Sequence, residues 1–225
     1  MARHARLDVY QAMLASGLVA TFQHAELGVA ERIAAALLDG GARTIEFLLR
    51  GDGSFRVFRE LLPKLRARAP DAIVGVGSIV DPPTAALCLA EGADFVVSPI
   101  LHPAIVRLCH RRKVAVLPGC TTVTEISQAE ALGAEIVKLF PAAAFDGAEF
   151  LRSLHGPMPW SRVLPTGNAV ECTKDSVARW IAAGACALGT GANLVAADDV
   201  AAGRFAEIAA RTRRMLQWIA EARAS

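Results

Sequence analysis

A single lysine stands inside an apolar segment of this 225-residue sequence, and its side chain is suited to nucleophilic chemistry. Lys138 lies in the segment Glu-Ile-Val-Lys-Leu-Phe-Pro, and the chain has four lysines against twenty arginines. Burial of an ammonium group is unfavourable and lowers the pKa of the lysine toward neutrality. The neutral amine is the form that attacks a keto group. The alternative is a structural lysine that reaches the surface from a strand end or pairs with a carboxylate.

A carboxylate is predicted to face this lysine. In the segment Thr-Ile-Glu-Phe-Leu, strand alternation places Glu46 on the face opposite Ile45 and Phe47. Glu46 belongs to the second predicted strand and Lys138 to the sixth, and these strands face each other in an eight-stranded barrel. The two groups would meet near the barrel axis, where a carboxylate can shuttle protons during a carbonyl reaction. An inert buried ion pair is the alternative, although it is an unfavourable way to fill a core.

Further candidates follow the predicted strands at the same end of the sheet. Arg50 lies in the loop after the second strand, and its guanidinium group suits bidentate binding of a carboxylate. Ser78 ends the third strand with a hydroxyl group, and Pro99 follows the fourth. Glycines after the seventh and eighth strands expose backbone N–H groups, and barrels often bind phosphate at that corner. The candidate residues at this corner are Thr166, Gly167, Asn168, Gly189, Thr190 and Gly191.

The elements that position these side chains alternate between short apolar strands and amphipathic helices, which indicates a parallel sheet with helical crossovers. The eight predicted strands are Leu18–Thr21, Thr44–Leu48, Ala72–Val76, Asp94–Val97, Val114–Leu117, Glu135–Leu139, Arg162–Leu164 and Ala185–Leu188. An extra helix is predicted at residues 5–16, and a long final helix from Asp199 to Ala222. Eight regular units of about 20–25 residues favour a single-domain (β/α)8 TIM barrel over residues 1–225, rather than an open doubly wound sheet.

Composition restricts the class of protein. Apolar residues make up 53% of the chain and charged residues 20%, which favours a large core over disorder. The net charge of +2 does not indicate a nucleic-acid or membrane partner, and no apolar run approaches the ~20 residues of a membrane span. Five scattered cysteines and the lack of a clear signal-peptide cleavage site predict a reduced, cytoplasmic protein. The histidines show no metal-ligand spacing and no strand precedes a G-x-G-x-x-G motif, so neither a metal nor a dinucleotide is predicted.

The chain resembles the 2-keto-3-deoxy-6-phosphogluconate (KDPG) aldolase family, which includes 4-hydroxy-2-oxoglutarate (KHG) and phosphogalactonate relatives. The resemblance covers nearly the whole chain and rests on motifs that occur in order along it. These motifs are Ile45–Arg50, Gly75–Ile79, Val97–Pro99, Pro118–Thr121, Val137–Pro141 and Pro165–Gly167.

The resemblance implies a role for each of the principal candidates. Lys138 would form a Schiff base with a 2-keto acid, and Glu46 would be the general acid and base. Arg50 and Ser78 would hold the keto-acid carboxylate, and Thr166 would line the site. The implied reaction cleaves a 2-keto-3-deoxy sugar acid, in the first instance KDPG, to pyruvate and glyceraldehyde 3-phosphate. The resemblance further implies a homotrimer with no metal or organic cofactor.

Several positions depart from the family pattern. Ser78 replaces a threonine, Asn168 a common second glycine, and Ala192 a frequent serine, and the arginine that some relatives carry near Phe22–Gln23 is absent. An unphosphorylated 2-keto acid or 4-hydroxy-2-oxoglutarate is therefore the alternative substrate. A lyase or epimerase without covalent catalysis would need paired aspartates or metal-binding histidines at strand ends, which the sequence does not show. A non-catalytic barrel that binds a keto acid is a further alternative.

Overall fold

Short strands recur along the chain in the computed structural model, which describes residues 2–224. The strands are β1 (Leu18–Phe22), β2 (Thr44–Leu48), β3 (Ile73–Gly77), β4 (Phe95–Val97), β5 (Ala115–Leu117), β6 (Gly119–Cys120), β7 (Val137–Leu139), β8 (Val163–Pro165) and β9 (Leu188–Thr190). The paired strands are parallel and form two sheets, of order β5-β4-β3-β2-β1-β9 and β6-β7-β8. In each sheet the carboxyl ends of the strands therefore lie at one edge, where the predicted functional groups occur.

Helices connect the strands, so the predicted α/β class with parallel strands is confirmed. They are α1 (Arg6–Ser16), α2 (Leu27–Asp39), α3 (Ser54–Arg68), α4 (Pro82–Glu91), α5 (Pro103–Arg111), α6 (Val123–Ala131), α7 (Gly147–His155), α8 (Lys174–Ala182), α9 (Ala197–Ala201) and α10 (Phe205–Ala224). A 3-10 turn at Ala142–Ala144 follows β7. Within residues 2–224, no helix has both the length and the apolar character that crossing a bilayer requires.

Strand alternation divides the buried side chains into two apolar clusters. Outward-facing residues such as Ile45 and Phe47 pack with the helices in the larger cluster. The smaller, interior cluster collects residues from strands of both sheets, including Val19, Phe95 and Leu164. Helix α1 contributes three further buried side chains to it, namely Val9, Tyr10 and Met13. The extra N-terminal helix therefore covers the interior cluster.

The hydroxyl group of Tyr10 connects α1 to β5 by two hydrogen bonds. It donates to the carbonyl of Val116 at 3.2 Å and accepts from the N–H of Val116 at 3.0 Å. Tyr10→Phe would deprive both buried backbone groups of this partner, so we expect the free energy of unfolding to fall by about 1–3 kcal/mol. Urea unfolding measures the loss. The variant should keep its full catalytic rate, and an unchanged unfolding midpoint would contradict the structural role.

The second strand has its predicted bounds, and most of the others shift by one or two residues. Two strands differ more clearly from the predictions. The fifth predicted strand, Val114–Leu117, continues beyond Pro118 as β6. Proline has no N–H to donate, so the strand is divided there into β5 and β6. The last predicted strand, Ala185–Leu188, lies about three residues too early. Its pairing with β1 begins where the N–H of Leu188 donates to the carbonyl of Gly17 at 2.8 Å.

The long final helix predicted from Asp199 to Ala222 is present as α10, but its predicted start is wrong, because the separate short helix α9 occupies Ala197–Ala201. Gly203 lies between them with a φ of 69°, a left-handed conformation that glycine adopts readily. The N–H of Arg204 donates back to the carbonyl of Asp199 at 2.8 Å. This turn ends α9 before α10 begins at Phe205.

Candidate active site

A cavity of about 470 Å³ opens at the carboxyl ends of the strands. Lys138 of β7 and Glu46 of β2 line it together, with Arg50 from the loop after β2. The loop after β8 contributes residues 166–168, and the loop after β9 contributes Gly191 and Ala192. The structure thus brings the predicted amine, carboxylate and guanidinium into one cavity with most of the glycine-rich corner.

Lys138 occupies an almost fully buried position in β7. Its neighbours Val137 and Leu139 point to the opposite face and belong to the larger apolar cluster. The Lys138 side chain lines the cavity and is 5% exposed. Its Nζ lies 4.9 Å from the centroid of the Phe140 ring. Burial lowers the pKa of Lys138, the charge of Glu46 opposes that shift, and the charge of Arg50 adds to it. The net lowering of this pKa favours the neutral, nucleophilic amine.

Glu46 is buried at the end of the same cavity. It is 1% exposed, and its Oε1 has no hydrogen-bond partner among the described residues. Burial raises the pKa of Glu46, and the charges of Lys138 and Arg50 only partly offset that effect. A carboxyl group that protonates readily beside an amine that deprotonates readily is the pairing that covalent and acid–base catalysis require.

Gly77 at the end of β3 provides the space for the Glu46 carboxyl group. A methyl group at this position would overlap Oε1 of Glu46. Gly77→Ala is therefore expected to displace the carboxyl group and lower kcat by roughly 10- to 100-fold, since small misplacements of catalytic groups have effects of that size. Steady-state kinetics check this prediction.

Gly28→Ala is the matched control for this change. Gly28 lies in α2, and an added methyl group there would meet no atom within 4 Å. The control should retain its kcat and be at least as stable, because alanine favours helix formation. Equal kcat values in the two variants would contradict the proposed role of Gly77.

Arg50 and Ser78 contact each other at the edge of the cavity. The Nε of Arg50 donates to the Oγ of Ser78 at 2.9 Å. Arg50 lines the cavity, whereas Ser78, which has a φ of 64°, is outside its lining. Ser78 therefore orients the guanidinium group, which leaves its terminal nitrogens for a ligand.

Two other predicted residues lie away from the cavity. Thr190 is 3% exposed, and its hydroxyl donates to the carbonyl of Val170 at 3.1 Å. Pro99 follows β4 and is not part of the lining. Strand alternation explains why Thr190 lies away from the cavity: Gly189 and Gly191 face the cavity, and Thr190 faces the other side.

The loop after β8 has the backbone conformation expected of a ligand-binding turn. Gly167 and Asn168 have φ values of 79° and 63°, both in the left-handed region. Asparagine tolerates this conformation better than most residues other than glycine. Asn168 therefore preserves the turn without a glycine and adds an amide side chain at the cavity.

Sequence reasoning missed two parts of the cavity wall. The end of β1 and the loop after it contribute Thr21, Gln23 and His24, which could have been found from their place after a strand. Helix α9 contributes Ala197 and Val200, whose types carry no functional signal. Within residues 2–224, no group of three or more histidine, cysteine, aspartate or glutamate side chains is placed to hold a metal ion.

Comparison with known proteins adds three independent findings. The family profile described as "Aldolase: KDPG and KHG aldolase" matches residues 9–211. A 2-dehydro-3-deoxy-phosphogluconate aldolase of Treponema pallidum is 31% identical over 185 residues, which cover 82% of this chain and 85% of that protein. A solved 4-hydroxy-2-oxoglutarate and 2-dehydro-3-deoxyphosphogluconate aldolase superposes with a TM-score of 0.77 at 27% identity, covering 93% of this chain and 97% of the other.

One further structure shows the same fold. It is the KDPG aldolase of Legionella pneumophila with pyruvate captured as a covalent carbinolamine. The superposition has a TM-score of 0.80 at 24% identity and covers 90% of this chain and 95% of that one.

Proposed function

This chain belongs to the KDPG and KHG aldolase family, and we propose that it cleaves a 2-keto-3-deoxy sugar acid to pyruvate and an aldehyde through a Schiff base on Lys138. Family membership makes the chain a carbon–carbon lyase. We take KDPG as the reference substrate, which would give pyruvate and glyceraldehyde 3-phosphate. The observation that carries the proposal is the burial of Lys138 and Glu46 in one cavity. The lowered pKa of Lys138 favours the neutral amine, and the raised pKa of Glu46 suits a group that both takes and returns a proton.

The first half of the reaction builds an electron sink on Lys138. Its neutral Nζ attacks the C2 ketone, and loss of one water gives a protonated imine between Nζ and C2. Arg50 holds the adjacent carboxylate with the guanidinium nitrogens that Ser78 leaves free. The binding of pyruvate as a covalent carbinolamine in the Legionella pneumophila enzyme supports this order of events.

The second half breaks the carbon–carbon bond. The Glu46 carboxylate takes the proton of the C4 hydroxyl, the C3–C4 bond breaks, and its electron pair moves into the imine. The aldehyde departs and an enamine remains on Lys138. Protonated Glu46 then returns the proton to C3, and water hydrolyses the imine to release pyruvate and the free amine.

The reaction is tested by following pyruvate release with lactate dehydrogenase and NADH. Incubation with KDPG should give one pyruvate for each molecule cleaved, and 4-hydroxy-2-oxoglutarate is the second substrate to measure. Absence of pyruvate from both compounds would contradict the proposal.

The two sheets are proposed to close into one (β/α)8 barrel that forms a single domain. The N–H of Cys186, just before β9, donates to the carbonyl of Val163 in β8 at 3.0 Å, which supports closure at one seam. The sheets also meet between β5 and β6, where Pro118 alone separates the two strands. The carbonyl of Pro118 accepts from the N–H of Lys138 in β7 at 2.9 Å. The interior cluster, drawn from strands of both sheets, is further support.

A cytoplasmic homotrimer is the proposed state of the protein. Four exposed apolar side chains, Val80, Leu87, Ile100 and Val123, lie on neighbouring units between β3 and α6, as an interface between copies would require. Free cysteines throughout the chain are typical of a reducing compartment. Light scattering after gel filtration should give three chain masses.

A further inference from the structure

The cavity continues beyond Lys138 and Glu46 into a distal end that the keto-acid half of a substrate does not fill. Three strand ends, those of β8, β9 and β1, and helix α9 form this region. Its polar side chains include Thr21, Gln23 and Asn168, which are uncharged. Its apolar side is formed by small residues such as Ala192 and Val200. The aldehyde half of a substrate bound at Lys138 therefore meets mainly neutral groups.

The cations of the cavity come from other elements. Among its lining residues, the arginine and lysine side chains are Arg50, which follows β2 and donates to Ser78 after β3, and Lys138 of β7. His24 lines the cavity mouth, and its Nδ1 lies 3.1 Å from the N–H of Glu26. The same Nδ1 lies 3.3 Å from the carbonyl oxygen of Glu26, so the backbone of Glu26 holds the ring at the mouth.

The arginines closest in the chain to the distal wall are engaged elsewhere. Arg204 donates from Nε to Oδ1 of Asp199 at 2.9 Å, and Arg211 donates to Oδ2 at 2.7 Å. Arg211 also donates to the carbonyl of Leu194 at 2.7 Å. It therefore fixes the segment from Leu194 to Asp199, which contains Ala197 and precedes Val200. The adjacent Asp198 adds an exposed carboxylate to this side. Among the described residues, β8, β9, β1, α9 and the loops after these strands contribute no arginine or lysine to the cavity lining.

We propose that the protein also cleaves unphosphorylated 2-keto-3-deoxy sugar acids, with an efficiency comparable to that on their 6-phosphorylated forms. This inference rests on the proposed aldolase function and adds a second substrate class to it. Hydroxyl groups of a neutral aldehyde half can bond with Thr21, Gln23 and Asn168. A phosphate gains only backbone N–H groups and neutral side chains, without the charge-assisted contacts that would give on the order of 10- to 100-fold discrimination.

The test compares kcat/KM for KDPG and for 2-keto-3-deoxygluconate, which differ only in the phosphate group. The two values should agree within about tenfold, and their ratio should change little between low and high salt because no ion pair is screened. A preference above about tenfold for KDPG would overturn the inference while leaving the aldolase function intact, and a preference that weakens at high salt would point to a cation that binds the phosphate. Cleavage of neither compound, with no pyruvate adduct, would instead refute the aldolase function.

A charge-introducing variant sharpens the comparison. Gln23→Arg places a cation at the distal end and should raise the ratio of kcat/KM for KDPG over 2-keto-3-deoxygluconate by about tenfold. Gln128→Arg is the matched control, because it adds the same charge at an exposed position of α6. The control should leave the ratio unchanged. Equal ratios in the two variants would contradict the assignment of the distal end to the aldehyde half.

Discussion

Replacing Lys138 by methionine is expected to lower kcat for KDPG cleavage by a factor on the order of 10⁴ or more, as removal of a covalent nucleophile does in other enzymes. Methionine keeps an unbranched apolar side chain of similar length but has no amine. The imine cannot form, so the C3–C4 bond has no electron sink. The fold should persist, because the change removes an amine whose charged form is disfavoured by burial.

Lys64→Met is the matched control for this prediction. Lys64 lies on α3 and pairs at 3.0 Å with Glu31, and the two side chains are 46% and 43% exposed. Exposed pairs of this kind contribute little, so kcat and stability should stay close to those of the unmodified protein. A Lys138→Met variant that retains a tenth or more of the activity, or a control that loses as much, would contradict the assignment of the nucleophile.

Glu46→Gln is expected to lower kcat by about 10²- to 10⁴-fold while leaving the covalent adduct with pyruvate intact. Glutamine has nearly the same shape but cannot take the C4 hydroxyl proton or return it to C3. Nucleophilic attack depends on Lys138, so binding of the keto acid should survive. The combination of a lost kcat and a retained adduct separates the proton-transfer role from a merely structural one.

The pH dependence of the unmodified protein gives a second readout of Glu46. Burial raises the pKa of this carboxyl group above its ordinary value. Because bond cleavage uses the carboxylate, activity should fall as the pH decreases through that raised pKa. The acidic limb should therefore lie above the pKa of about 4.3 typical of exposed glutamates. Glu46→Gln should remove this contribution and leave only the decline that protonation of the Lys138 amine causes.

Glu135→Gln is the control for both Glu46 measurements. Glu135 pairs with Arg162 at 3.2 Å, and the side chains are 49% and 51% exposed. It should retain the normal rate and pH profile. An acidic limb that is unchanged in Glu46→Gln, or a kcat that stays normal, would show that another group moves the proton.

The placement of Lys138 and Glu46 in one cavity was predictable from sequence because strand alternation and the opposition of the second and sixth strands of a barrel both lead to it. Strand alternation separates Lys138 from Val137 and Leu139, and a carboxylate on another strand offers the only nearby compensation for its burial. The alternation of helices with strands was also predictable, from the apolar periodicity of the helices and from the glycines at their ends. These features are local or repeat regularly, so a single sequence reveals them.

The outer parts of the cavity could not be predicted in the same way. The orientation of a residue just beyond a strand depends on turn geometry, which is why Ser78 contacts Arg50 and does not line the cavity. The wall on α9 consists of small apolar residues that look like core. Its position depends on Arg211, which reaches Asp199 across 12 positions of the chain. Contacts of this kind are tertiary and have no local signal.

Borohydride reduction in the presence of pyruvate tests the central role of Lys138 most directly. The protein is incubated with pyruvate, reduced and digested, and the peptides are examined by mass spectrometry. One reduced pyruvyl group should be found on the peptide that contains Lys138, in the unmodified protein and in Glu46→Gln, and it should be missing from Lys138→Met. No adduct on the unmodified protein, or an undiminished adduct in Lys138→Met, would contradict Schiff-base catalysis by this residue.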